Sequence, residues 1–136
     1  MPVARLMLVL GLGLAACGRP GALSAPLPQV QVTDPRYGGL VFLVATVQKA
    51  GADFVITNTS TQPWFDVTLE LSSDRADHYQ VHIDEVGAGH SVTADPAQFT
   101  TDAGLSFNPQ RLMPRTLIIS AEIGEGGPTG VYAVRL

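Results

Sequence analysis

The strongest constraint on this chain is a period of two that recurs along its second half. From position 64 to 71, Phe65, Val67, Leu69 and Leu71 fall on one side, and Trp64, Asp66, Thr68 and Glu70 on the other. That is the pattern of a strand buried on one face. Tyr79, Val81 and Ile83 repeat it against His78, Gln80, His82 and Asp84, and Leu117, Ile119, Ala121 and Ile123 repeat it against Thr116, Ile118, Ser120 and Glu122. Upstream, the β-branched and aromatic run from Leu40 to Val47 meets a turn at positions 49–52 and returns through Phe54 to Asn58, which predicts a hairpin. The glycine-rich turn at 124–130 leads into Val131–Leu136 and predicts a closing hairpin. Asp95 before Pro96 allows at most one short helical turn. The expectation is an all-β chain, an antiparallel sandwich of about seven strands.

The first residues follow a different logic. Arg5 precedes a nine-residue apolar run from Leu6 to Leu14, then Ala15, Ala16 and Cys17. A bilayer core takes roughly 20 helical residues to span, so nine make a signal h-region and not a membrane anchor. Leu14-Ala15-Ala16-Cys17 resembles the lipobox of bacterial lipoproteins, in which the cysteine sulfur receives a diacylglyceryl group and the chain is cut just before it. The resemblance implies a signal peptide over 1–16 and lipidation of Cys17. Several acyl chains hold a protein stably where one binds marginally. Gly18 in place of Asp after the cysteine implies, by the same resemblance, the outer membrane with the domain facing the periplasm; in a Gram-positive host the protein would be displayed outside the single membrane. Residues 17–37 then read as a tether, since Pro20, Pro26, Pro28 and Pro35 with Gly18 and Gly21 block helix. Fully extended, its proline-rich part reaches roughly 50 Å. The sandwich is expected over 38–136, with Val30-Gln31-Val32 as an alternative start of the first strand.

A second resemblance lies in the domain itself. Val55-Ile56-Thr57-Asn58-Thr59-Ser60, then Trp64 to Leu71, Val86-Gly87-Ala88-Gly89-His90, and Asp102 to Pro109 are similar to immunoglobulin-like domains of small envelope lipoproteins of the FxLYD type. It covers about positions 41 to 123 and implies an immunoglobulin-like sandwich, not a particular activity. The cysteine pair of antibody domains is absent.

Charged residues make up 15% of the chain against about 25% in an average globular protein, and hydrophobic ones 46%, which excludes disorder for most of the length. The eight basic residues are scattered singly among 12 acidic ones, so nucleic acid is not an expected partner. One cysteine makes neither an internal disulfide nor a CxxC motif. His78 and His82 lie about 13 Å apart along a strand, too far for one metal ion unless His90 joins them from a loop. Asp74, Asp77, Asp84 and Glu85 lack the alternating ligands of a calcium loop and read as surface groups. Asn58-Thr59-Ser60 reads as a strand-ending backbone cap. With no Gly-x-Ser-x-Gly elbow, hydrolase chemistry is not expected. No cofactor and no metal are expected.

Two features point to contacts. Trp64 and Ile118 fall on the polar faces of their strands and, with Tyr132, are candidates for an exposed apolar contact patch, unless an extra strand or the tether covers them. Arg111 and Arg115 flank an apolar step that could meet an anionic group. The functional expectation is a membrane-anchored, non-catalytic interaction or assembly module of the cell envelope, with a protein partner there. The alternative is a periplasmic small-ligand or metal-binding lipoprotein using the three histidines.

Overall fold

A computed structural model describes residues 22–75 and 77–136. The signal peptide and Cys17 lie outside the described residues. Eight strands form two sheets: β1 (Val41–Phe42), β2 (Ala45–Ala50), β3 (Asp53–Asn58), β4 (Trp64–Ser73), β5 (His78–Val86), β6 (Ser91–Ala94), β7 (Pro114–Ile123) and β8 (Thr129–Arg135). One sheet runs β1-β8-β7-β4-β5 and the other β2-β3-β6. The chain is an all-β sandwich. The β4–β5 hairpin lies in the larger sheet, the chain crosses to β6 in the smaller one, and β7 returns between β4 and β8, a Greek-key connectivity of the immunoglobulin-like kind. The Leu40–Val47 run divides between the sheets, since β1 pairs in parallel with β8 whereas β2 pairs with β3.

The core lies between the inward faces. β2 and β3 contribute Val47, Phe54 and Ile56; β4, β7 and β8 contribute Leu69, Leu71, Leu117, Ile119 and Val134. Gly130 of β8 faces inward where any side chain would collide: a Cβ there would sit 2.6 Å from Leu43 Cδ2 and 3.0 Å from Ile123 Cδ1. The segment between β6 and β7 closes one flank. A 3-10 turn at Pro96–Gln98 is capped by Asp95, as the Asp-Pro pair implies, and the Asp95 N–H in turn donates to Gln98 Oε1. Beyond it Phe99 and Phe107 plug the core, Tyr79 meets Phe107 edge-on at 5.1 Å, and Thr100 exchanges two backbone hydrogen bonds with Gln80 on the outer edge of β5.

Trp64 corrects the sequence reading. It is fully buried in the core, not part of an exposed patch. The cause is a bulge in β4: Phe65 pairs with Glu122 and Thr68 with Ser120, so Asp66 and Val67 together oppose one residue of β7. Asp66 takes up the kink at φ 52°. The alternation therefore shifts phase between Trp64 and Val67, three positions apart, and both point inward while Asp66 is exposed. Tyr132 is corrected likewise. It lies opposite Ile119 on the inward face of β8 and is only 7% exposed. Ile118 does face outward, but it is half-buried beneath the segment that precedes β1.

That segment is the other correction. Residues 22–37 are not a free spacer. Ser24 and Leu27 donate backbone bonds to Lys49 and Val47 on the edge of β2, and Val30 donates to Ala133 of β8. The chain then crosses the outer face of the larger sheet to a 3-10 turn at Pro35–Tyr37, capped by Asp34, before entering β1. This strap covers two sheet edges, whose unpaired backbone groups would otherwise invite association.

We expect Trp64→Ala to lower stability by about 3–5 kcal/mol, the cost of an aromatic-sized cavity. Trp64→Phe should cost far less, because it keeps most of the ring and removes an indole N–H that has no partner among the described residues. Asp66→Val should cost about 1–2 kcal/mol for a β-branched residue at positive φ, and Asp66→Gly should cost nothing. Thermal unfolding of the four variants reads all of these.

Candidate functional site

The outer face of the larger sheet carries a buried charge. Glu70 projects outward from β4, opposite Ile118 on β7 and Gln80 on β5, yet it is only 2% exposed. The strap covers it and supplies its counter-charge. Arg36 donates from Nη2 to Glu70 Oε1 at 2.8 Å and to Asp34 Oδ2. The Tyr37 hydroxyl bonds Glu70 Oε2 at 3.3 Å, Gln80 Nε2 donates to the same oxygen at 3.1 Å, and His78 Nδ1 lies 3.2 Å from Oε1. Burial pushes the Glu70 carboxyl up, but the bonds from Arg36 and Gln80 outweigh it and leave the group below its ordinary value. Asp34 is lowered by its side-chain and backbone bonds from Arg36. Burial raises the Tyr37 phenol. A cleft of about 310 Å³ beneath the strap is lined by Asp34, Glu70, His78, Ile118 and Arg135. This cluster latches the strap to the sheet.

The strap also creates a flank. The described residues expose six large apolar side chains, and Leu23, Val41, Phe42 and Val44 are four of them. Phe42 is 61% and Val44 59% exposed. They border an open groove of about 590 Å³ whose floor includes Tyr132 and whose walls include Gln29, Val30 and Ala45. Positions 22–32 and 38–48 contain no Asp, Glu, Lys, Arg or His. Exposed apolar side chains lining an open groove are a feature common to contact surfaces.

The structure separates the remaining candidates. His78 belongs to the Glu70 cluster, His82 lies 3.3 Å from Asp66 and 3.5 Å from Asp84, and His90 sits in the turn after β5, its ring packed against Gly87. Among the described residues no three His, Cys, Asp or Glu side chains are grouped to hold a metal ion. Asn58 is fully buried, donates to the Gln62 and Val86 carbonyls and accepts from Ser60 N–H and Oγ–H, so this triplet is backbone chemistry as its composition implies. Asp74 accepts from the Met113 N–H and closes the loop before β7. Arg111 and Arg115 are exposed.

Arg36 and the flank were invisible to periodicity. The signals available were Asp34-Pro35, a cap followed by a first-turn proline, and an aromatic residue, Tyr37, inside a proline- and glycine-rich stretch. Comparison with family models, curated proteins and solved structures found no match.

Because Glu70 and Asp34 are both lowered in the folded state, the stability they confer is complete above the ordinary carboxyl range and is lost as pH falls below it. Melting temperature should therefore drop as pH falls below about 4.3, and Glu70→Gln should flatten that drop. Arg36→Ala should cost about 1–3 kcal/mol at neutral pH, less than a fully buried pair because Arg36 is half-exposed.

Proposed function

We propose that this chain is a lipid-anchored, non-catalytic β-sandwich module of the cell envelope, held through Cys17 on the outer membrane and facing the periplasm. Its role is interaction or assembly. The observation that carries the reading is the exposed apolar flank of Phe42 and Val44, which lines an open groove beside the strap. The contact surface is thus this flank, in place of Trp64 and Tyr132, which serve the core. The FxLYD-type resemblance supports the same class, since such sandwiches are modules and take their roles from their surfaces.

Lipidation supplies the membrane affinity. Each buried methylene adds about 0.8 kcal/mol, so two or more acyl chains on Cys17 make release slow. Metabolic labelling with palmitate followed by membrane fractionation tests the anchor. The wild type should carry label and sediment with membranes, and Cys17→Ser should do neither. An unlabelled wild type recovered free of membranes would contradict the reading.

A further inference from the structure

We infer that residues 30–37 are an acid-released cover over the outer face of the larger sheet. Below about pH 4 the latch turns from attraction into repulsion, and the strap lifts from Glu70 while the eight strands stay folded.

The cover can leave without emptying the core. None of the described residues 22–37 is fully buried, and the core cluster begins at Leu43. Of the strap's apolar side chains only Leu27 packs against that cluster, from the part that runs along β2. From Val30 onward, a single backbone bond ties the strap to the sheet before β1, the Val30 N–H on the Ala133 carbonyl. Residues 31–37 are thus held down by side-chain chemistry at Asp34, Arg36 and Tyr37. Gly38 and Gly39 join them to β1, and Gly39 stands at φ 78°, a place where the chain can swing.

The charges facing Glu70 come from three elements. The strap brings Asp34, Arg36 and the Tyr37 phenol, β5 brings His78, and β8 brings Arg135, which lines the same cleft. β7 brings only Thr116 and Ile118. At neutral pH two carboxylates face two guanidiniums. Asp34 and Glu70 are both held below the ordinary carboxyl range, so the latch is complete above that range and is lost as pH falls through it. An imidazole is cationic there, and the Tyr37 phenol, raised by burial, stays neutral. Protonating both carboxylates therefore leaves Arg36, His78 and Arg135 as three cations without a counter-charge. Arg135 lies two strands from Glu70, about 10 Å by strand spacing, which is within the Debye length at low salt. Lifting the segment uncovers Ile118 and opens the cleft.

Amide exchange and tryptophan emission of the full chain, followed together from pH 7 to pH 2.5, separate the cover from the core. Ionic strength is kept at about 10 mM, where the Debye length is about 30 Å. The Val30 N–H reports the strap, and Trp64, the chain's one tryptophan and fully buried, reports the sandwich. Val30 protection, referred to an unstructured peptide at each pH, should fall at least about tenfold by pH 3, the effect of one pKa unit, with Trp64 emission unchanged. Glu70→Gln should lower that protection already at pH 7 and shrink the acid step. Arg135→Gln leaves the Arg36–Glu70 pair in place and removes one cation, so it should move the opening to lower pH. A single transition in which Val30 protection and Trp64 burial are lost together would overturn the proposal. Equal Val30 protection at pH 7 and pH 3 would do the same, as would an opening at one pH in both Arg135→Gln and the wild type.

Discussion

A carboxylate on the outward face of a sheet has no claim to be buried, and Glu70 is buried only because residues 30–37 lie across it. A buried charge is costly unless paired and hydrogen-bonded. Arg36, Tyr37, Gln80 and His78 together meet that condition. Glu70 draws its counter-charge from a residue 34 positions earlier. That pairing, with the backbone bonds of Ser24, Leu27 and Val30, makes the proline-rich lead-in a part of the fold and closes one flank of the sandwich.

The two flanks are sealed by different means. On the far side, the β6–β7 segment inserts Phe99 and Phe107, so apolar burial does the work. On the near side, the strap pairs its backbone with β2 and β8, packs Leu27 against the core, and leaves Leu23 and the neighbouring Phe42 and Val44 exposed. Covering an edge while exposing Phe42 and Val44 gains hydrogen bonds and leaves apolar area in water. Such an arrangement makes physical sense where that area meets something else.

Much of the architecture was legible in the residues. Period-two runs placed β4, β5 and β7, turn residues placed the β2–β3 and β7–β8 hairpins, and Asp95-Pro96 placed the capped turn at Pro96–Gln98. The errors share one physical origin, which is that alternation is read locally. The bulge at Asp66 resets the phase within β4, so Trp64 moved from the predicted outer face to the core. Tyr132 lies in a strand buried on both faces, where alternation carries no information. The strap depends on pairings such as Leu23 with Ala50 and Arg36 with Glu70, which no spacing rule reaches. The exposure of Phe42 and Val44 was missed for the same reason, since it depends on which edge the strap covers.

The lead-in is folded onto the sandwich. Amide hydrogen exchange at Ser24, Leu27 and Val30 tests it most directly, because these three N–H groups bond Lys49, Val47 and Ala133 across the strap. All three should exchange far more slowly than an unstructured peptide, and Arg36→Ala should speed Val30, nearest the latch, more than Leu27. Exchange of all three at the rate of a free chain in the wild type would show a loose tether and contradict the account.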